Sequence, residues 1–258
     1  MGVALEKFDV FICCAPKDVN KLPFCIAAVK KNVPGIGDIH VTSPMPIAPI
    51  TGVIHHLDKG VLDINPMRWK YRPNWVYQQF LKMFQTVTKT EYWFVVDVDT
   101  IINRTLPMFE GNRPIWYYGW DQDNRPYFTF QEKMIGIGKV CRHTFVADMN
   151  FFNINIINKM LKRNKYTRLS FIEKSFDIIN ENCYPAEPEI YGSYVYMNHP
   201  EYVYKKLKCK CEGKFQDKPR SIIYGTEEIS AKIEQMSKTD LDTWSMHSWC
   251  GEYEDYWK

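Results

Sequence analysis

No uninterrupted apolar run in this sequence approaches the roughly 18 residues that span a bilayer, so no membrane span is predicted. The opening stretch, MGVALEKFDVFICCA, has acidic residues around a short apolar run and matches a signal peptide poorly. None of the eight cysteines forms a CxxC pair, the spacing typical of zinc and redox sites. We therefore expect a protein of the reducing cytoplasm.

The sequence also has little net charge and no internal repeat. Lys and Arg number 33 against 30 Asp and Glu, which gives a formal net charge of +3. This balance provides no argument for a nucleic-acid partner, which calls for a strongly basic surface, and none is expected. A chain of 258 residues with 45% apolar residues suits one large globular domain, and no linker divides it.

The first hundred residues alternate between strand and helix patterns. Continuous apolar or β-branched runs predict strands, and apolar residues at helical spacing predict helices. The segments are a strand in FDVFICCA (8–15), a helix beginning near Pro23, a strand in DIHVTS (38–43), a helix over 74–84 and a strand in YWFVVDV (92–98). This alternation predicts a mostly parallel sheet flanked by helices, an α/β fold.

The second half has a more mixed pattern. We predict a strand in PIWYYGW (114–120), a mobile loop or hairpin in FTFQEKMIGIGKV (128–140), and a strand in FVADMNFFN (145–153) that leads into a helix. Further helices are predicted around Ile172 and Phe176, in PEIYGSYVYMNHP (188–200) and near IEQM (233–236).

The most informative stretch is EYWFVVDVDTIINR, where an apolar strand ends in Asp97 and Asp99. Two neighbouring carboxylates repel each other and lose hydration beside an apolar strand. Residues i and i+2 of a strand face the same way, so both carboxylates could hold one hard divalent cation such as Mg²⁺ or Mn²⁺. Parallel sheets bind ligands beyond the carboxyl ends of their strands, so we predict a site there. The alternative is a solvated turn that one aspartate caps.

DVDT after YWFVV resembles the DxD motif of the GT-A glycosyltransferases, metal-dependent enzymes that use nucleotide sugars. FICCAPKD resembles the first, nucleotide-binding unit of that fold, and PNWVYQQFLKMF, RHTFVADMNFFN and EPEIYGSYVYMNHPE resemble segments of small bacterial and viral members. The resemblance implies a single Rossmann-like GT-A domain over 1–258, with a nucleotide-binding half in 1–105 and an acceptor-binding half and tail in 106–258.

The resemblance also implies a metal and a donor site. Asp97 would lie near the ribose and the metal, Asp99 would ligate the metal, and His247 in SMHSW would be a further ligand. The expected cofactor is Mn²⁺ or Mg²⁺, the donor is a UDP- or GDP-linked sugar, and the acceptor is a glycan or another hydroxyl compound. His247 could equally be an ordinary surface histidine.

Four further residues are expected at the nucleotide by the same resemblance: Lys17, Asp18, Arg72 and Gln79. Asp18 could instead cap the following helix, which we favour because Asp is a preferred N-cap residue. Arg72 and Gln79 could equally belong to a solvated helix face.

Inverting transfer needs a carboxylate base for the acceptor hydroxyl. The resemblance indicates a Glu at a helix start in the second half, where Glu187 and Glu189 lie in PAEPEIYG. We favour Glu189 and keep Asp148 as the rival, either as base or as a contact to a sugar hydroxyl. A helix N-terminus favours an ionised carboxylate, although a first-turn Glu is also common for purely structural reasons.

Two other functions remain open. A haloacid-dehalogenase-type phosphatase also carries DxD after an apolar strand, with Asp97 as its nucleophile, but Ile101 breaks the usual ending of that motif. A non-catalytic module that binds nucleotide sugars could share the same fold.

Overall fold

The computed structural model describes residues 7–119, 123–212 and 225–246, which form an α/β architecture. Its strands are β1 (Phe8–Cys13), β2 (Ile36–Ser43), β3 (Ile54–Leu57), β4 (Tyr92–Val96), β5 (Thr100–Ile102), β6 (Phe109–Glu110), β7 (Arg113–Tyr118), β8 (Met149–Asn153), β9 (Val203–Lys206), β10 (Cys209–Glu212) and β11 (Thr243–Met246). Its α-helices are α1 (Leu22–Asn32), α2 (Asp58–Val61), α3 (Pro73–Phe84), α4 (Arg125–Ile135), α5 (Ile154–Arg163), α6 (Arg168–Ile178), α7 (Glu187–Asn198) and α8 (Thr226–Ser237).

A five-stranded sheet with the order β3-β2-β1-β4-β8 forms the centre of the fold. The pairs β3·β2, β2·β1 and β1·β4 are parallel, whereas β8 runs antiparallel to β4. Strand order reverses between β1 and β4, because the chain first adds β2 and β3 on one side of β1 and then adds β4 on the other. Such a switch point opens a crevice beyond the carboxyl ends of the two strands, and Asp97 follows β4 there.

Helices cover both faces of this sheet. Val10 and Ile12 of β1 pack into the core cluster that contains the apolar face of α1. Phe11 and Cys13 point to the other side, into the cluster built from α3 and α5 to α7. Because successive strand residues face opposite ways, a strand buried on both faces reads as a continuous apolar run. The predicted α/β fold with a mostly parallel, helix-flanked sheet is therefore confirmed.

Most predicted elements are confirmed with shifted ends. Helix α1 has Pro23 in its first turn, β8 leads directly into α5, and α6 and α8 lie where predicted. Helix α7 is longer than the short helix expected, with 12 residues from Glu187 to Asn198. None of the described helices combines the length and the apolarity needed to cross a membrane. The division into two functional halves stays a prediction.

One predicted secondary-structure element was wrong. The segment predicted as a mobile loop or hairpin contains most of α4, and only the residues after Ile135 leave the helix. Pro126 lies in the first turn of α4, and Gly136 ends it in the left-handed conformation with φ 67°. The aromatic, β-prone residues of PYFTF masked the helical pattern, in which the buried residues Phe130 and Met134 lie one turn apart.

Helix α7 packs closely on the segment that precedes β8. A Cβ atom added to Gly192 of α7 would lie 2.5 Å from Cγ of Phe145. Phe145 is buried and packs its ring against Trp116, so it has little room to move. Gly192 therefore sets the distance between α7 and the segment that carries Asp148.

We predict that Gly192→Ala lowers the free energy of unfolding by about 1–2 kcal/mol, because the cost of overpacking exceeds the helix propensity that alanine gains. Urea denaturation followed by far-UV circular dichroism measures the change. Gly138→Ala is the matched control, since no atom lies within 4 Å of its added Cβ. Equal stability of the two variants would show that Phe145 yields freely.

Candidate active site at the end of strand β4

Three aspartates meet where β4 ends. Val96 pairs with Met149 in the antiparallel β4·β8 ladder, and the next residue, Asp97, donates its backbone N–H to Asp148 O at 2.9 Å. The chain then turns, with Thr100 N–H donating to Asp97 O at 2.9 Å. Asp97 and Asp99 thus lie in a turn that follows the strand, and that turn, rather than strand alternation, gives them their positions. The predicted pair is joined by Asp148.

A buried lysine neutralises part of this negative charge. Lys82 of α3 is only 4% exposed, and its Nζ lies 2.6 Å from Asp97 Oδ1 and 3.4 Å from Glu187 Oε1. Burial alone would lower the pKa of Lys82, but Asp97 and Glu187 raise it, and the net change is upward. Lys82 therefore stays protonated and connects α3 with the end of β4 and the start of α7.

The two carboxylates on Lys82 hold their protons more tightly than exposed acids do. Burial raises the pKa of Glu187 to about 7, although Lys82 acts in the opposite direction. The pKa of Asp97 is also raised, first by burial and then by the charges of Asp99 and Asp148, against the effect of Lys82. The side chain of Asp97 nevertheless remains 27% exposed, so this carboxylate can reach a ligand.

Strand β11 contributes a hydroxyl chain to the same site. Ser245 pairs with Thr100 across the antiparallel β11·β5 ladder. Its Oγ donates to Asp148 Oδ2 at 2.5 Å and lies 2.9 Å from Thr100 Oγ1. These contacts fix one oxygen of Asp148, whose side chain is partly exposed.

Asp99 lies between β4 and β11. It is largely buried, and its backbone carbonyl accepts from Met246 N–H at 2.8 Å. Met246 is the last described residue before His247, so the predicted histidine ligand lies outside the described residues. The chain leaves β11 beside Asp99, one residue before His247.

The predicted nucleotide residues near β1 have unequal surroundings. Lys17 is exposed, whereas Asp18 is buried and accepts from Lys21 Nζ at 2.8 Å. The helix-cap interpretation of Asp18 was wrong: α1 begins after Lys21 with no side-chain cap, and Asp18 belongs to a short 3₁₀ turn, Pro16–Asp18. Lys21 also donates to Met246 O at 2.8 Å, so Asp18 helps to attach β11 to the start of α1.

Arg72 and Gln79 both belong to the region of α3. Arg72 precedes the helix in the left-handed conformation with φ 46°, and its guanidinium lies over the ring of Trp75, 4.2 Å from the centroid. Gln79 is buried, which rules out the solvated-face interpretation for that residue. Whether either side chain contacts a nucleotide stays a prediction.

Glu189 is 1% exposed and makes structural contacts. Its Oε1 accepts from the Thr144 hydroxyl and from Phe145 N–H, the latter at 2.7 Å. Burial raises the pKa of Glu189, and these hydrogen bonds act in the opposite direction. Glu189 therefore connects α7 to the segment before Asp148, and its role as a base stays a prediction.

The residue types of this group suit a hard divalent cation, because such ions prefer oxygen ligands. Asp97, Asp99 and Asp148 crowd negative charge at one strand end, as their effect on the pKa of Asp97 indicates. Mg²⁺ and Mn²⁺ commonly take one or two protein carboxylates and complete their coordination with phosphates and water. Within residues 7–119, 123–212 and 225–246, the one group of three His, Cys, Asp or Glu with ligand-type spacing lies elsewhere, at Asp9, Asp38 and His40.

Sequence reasoning missed Lys82 and Ser245. A signal for Lys82 existed, because Gln79 and Lys82 are three residues apart and so share one face of α3, and both are buried. Ser245 gave no signal, since its role depends on the pairing of β11 with a distant strand.

We predict that Glu187→Gln removes a fall in stability that the wild type shows as pH rises. The folded-state pKa of Glu187 is raised to about 7 from an unfolded value of about 4.3. The protonated carboxyl therefore stabilises the fold fully below about pH 4.3, and this contribution is lost as pH rises through about 7.

The free energy of unfolding from urea titrations between pH 4 and 8 measures this effect, with the exposed Glu181→Gln as control. Parallel profiles for the wild type and Glu187→Gln would contradict the assignment.

Comparisons with known proteins give little further information. No protein-family model matches the chain, and no curated protein matches it. Among solved structures, the crystal structure of an active-site mutant of LgtC aligns with a TM-score of 0.46 and 10% identity, over 93% of this chain and 87% of that one. A likeness of this size supports no inference about activity.

Proposed function

We propose that this protein is a metal-dependent glycosyltransferase that moves a sugar from a nucleoside-diphosphate sugar to an acceptor hydroxyl. The observation that carries the proposal is the group of three carboxylates, Asp97, Asp99 and Asp148, beyond the carboxyl end of β4. It lies at the switch point between β1 and β4, where open α/β sheets bind ligands. The resemblance of DVDT and its flanking segments to the DxD enzymes supports the same reaction.

Asp97 and Asp99 would hold Mn²⁺ or Mg²⁺, with His247 as a further ligand. The ion would stabilise the negative charge on the departing diphosphate. Lys82 keeps Asp97 in position through the 2.6 Å ion pair. Because Lys82 and Glu187 are buried, this support of Asp97 is shielded from solvent.

The nucleotide would lie along the ends of β1 and β4. Lys17 is exposed beside the end of β1 and could reach a phosphate or base oxygen. Arg72 and Gln79 are proposed as further contacts on the α3 side. Asp18 is already engaged by Lys21, so its contribution to the nucleotide site would be to shape the loop after β1.

Two carboxylates are candidates for the base. Asp148 is partly exposed and adjoins Asp97, whereas Glu189 is buried and bonded to the segment before Asp148. The contacts therefore favour Asp148 as the group that touches the acceptor and Glu189 as the group that positions it. Ser245 holds one oxygen of Asp148 by a hydrogen bond, and the partly exposed side chain faces solvent, from which an acceptor would approach.

In an inverting reaction the acceptor oxygen attacks the anomeric carbon while the bond from that carbon to the diphosphate oxygen breaks. The base accepts the acceptor proton, and the nucleoside diphosphate leaves with the bonding electron pair. General-base catalysis of this kind contributes about 10²- to 10⁴-fold.

We predict that Asp99→Asn lowers metal-dependent donor turnover by at least about 100-fold, equivalent to about 2.7 kcal/mol of transition-state stabilisation. Release of nucleoside diphosphate from a panel of UDP- and GDP-sugars, with and without Mn²⁺, measures turnover. Thermal shift with the same compounds measures binding, and a ligand at 100 times its Kd adds about 2.7 kcal/mol of stability.

Asp177→Asn, an exposed aspartate of α6, is the matched control. Full metal-dependent turnover in Asp99→Asn would overturn the metal assignment. A phosphoryl group trapped on Asp97, without binding of any nucleotide sugar, would support the phosphatase instead. Binding of a nucleotide sugar without any turnover would support the non-catalytic module.

We predict that Asp148→Asn lowers kcat by about 10²-fold or more, with a stability close to that of the wild type. Glu189→Gln keeps an oxygen acceptor for Thr144 and Phe145, so it should alter kcat by less than about tenfold. Steady-state kinetics and urea denaturation of both variants separate chemistry from folding. A larger kcat loss in a stably folded Glu189→Gln would restore Glu189 as the base.

A further inference from the structure

A second group of ligand-type side chains lies near the amino end of β1. It consists of Asp9, Asp38 and His40, whose ligand atoms all lie within 4.8 Å of one another. Asp9 is opposite Trp93 in the β1·β4 ladder, four residues before Asp97. At about 3.3 Å per residue, this group is roughly 13 Å along the strand from the proposed donor site.

His40 is a buried histidine of β2. Its side chain is 2% exposed, and its Nδ1 lies 3.0 Å from Nε2 of His56. Within the part of the chain that the structure describes, Nε2 of His40 has no hydrogen-bond partner. Asp9 Oδ2 is 3.7 Å from this atom, which is beyond hydrogen-bond length. A buried polar atom in this state calls for an explanation, and a bound ion is one of the few available.

Asp9 is held so that its carboxylate faces His40. Asp9 Oδ1 accepts from Asp38 N–H at 3.0 Å, and Asp9 Oδ2 accepts from Lys89 N–H at 2.8 Å. Gly37 permits this approach, because a Cβ there would lie 2.6 Å from Asp9 Oδ1. The buried carboxylate is therefore fixed by two main-chain donors, and Asp38 presents a second, exposed carboxylate beside it.

We propose that Asp9, Asp38 and His40 form a binding site for a divalent transition-metal ion, with zinc as the best match. Zinc accepts imidazole nitrogen and carboxylate oxygen at about 2.0–2.2 Å in tetrahedral geometry. Two such ligand atoms are roughly 3.4 Å apart, close to the 3.7 Å between His40 Nε2 and Asp9 Oδ2. Three protein ligands leave the fourth position to water, on the solvent side where Asp38 is exposed.

His56 completes the arrangement. A metal-bound histidine usually donates its other ring N–H to a neighbouring group, which fixes the orientation of the ring. His56 Nε2 is within hydrogen-bond distance of His40 Nδ1, and the two rings are stacked with centroids 5.2 Å apart. The mixture of nitrogen and oxygen ligands also distinguishes this site from the carboxylates after β4, because imidazole favours zinc over Mg²⁺.

The test uses the full chain after treatment with a chelator, with zinc alone as the ligand. Competition against a chromophoric chelator gives affinity and stoichiometry, and Co²⁺ absorption reports tetrahedral coordination. We expect the wild type to bind one equivalent more tightly than Asp38→Asn by at least about tenfold. Asp38 is exposed, so this variant should fold even where His40→Gln does not.

Asp177→Asn is the control, and it should keep the wild-type zinc affinity at this site. Zinc affinity in a folded Asp38→Asn equal to that of the wild type would overturn the proposal. Absence of tight zinc binding by the wild type would also overturn it and would leave Asp9 and His40 as a buried polar pair only. Because the readout is metal binding, it is independent of glycosyl transfer.

Discussion

The arrangement of side chains at the carboxyl end of β4 depends on the ion pairs of Lys82. Removing an ammonium and a carboxylate from water costs several kcal/mol for each ion, and only close partners with good geometry offset that cost. Lys82 is buried and holds Asp97 and Glu187 at 2.6 and 3.4 Å. Three elements, α3, the end of β4 and the start of α7, must therefore stay together. Asp148 and Ser245 are placed next to Asp97 by the strands that pair around this point.

The charge balance at this strand end is consistent with the proposed cation site. Asp97, Asp99, Asp148 and Glu187 carry up to four negative charges, and Lys82 supplies one positive charge. Near neutral pH, Glu187 holds its proton for part of the time because burial raises its pKa to about 7. The remaining excess lies on the three aspartates, of which Asp97 and Asp148 are open to solvent. A divalent ion on that open side would reduce the repulsion among these carboxylates.

The sequence predicted the central sheet well because the signal is local. Buried parallel strands read as continuous apolar runs, and Asp97 and Asp99 follow the clearest of them. Helix α4 was missed because PYFTF has β-prone residues, and only tertiary packing of Phe130 and Met134 favours the helix. Lys82 was missed and Asp18 was misjudged for a related reason: their buried partners, Asp97 and Lys21, are identified as such only once the fold is known. The Asp9, Asp38 and His40 group is similar, since it depends on the register between β1 and β2.

Buried charges are stabilised in different ways at the two ends of the central strands. After β4, the chain supplies its own cation, Lys82, and leaves the outer carboxylates accessible. Near the amino end of β1, Asp9 receives two main-chain N–H donors, yet His40 Nε2 lacks a hydrogen-bond partner among the described residues. An unsatisfied buried nitrogen costs about 1–3 kcal/mol, a cost that a metal–nitrogen bond would remove. A metal held there would stabilise β1 against β2, whereas a metal after β4 would contact the diphosphate of the donor. The same sheet would then use one ion for stability and another for chemistry.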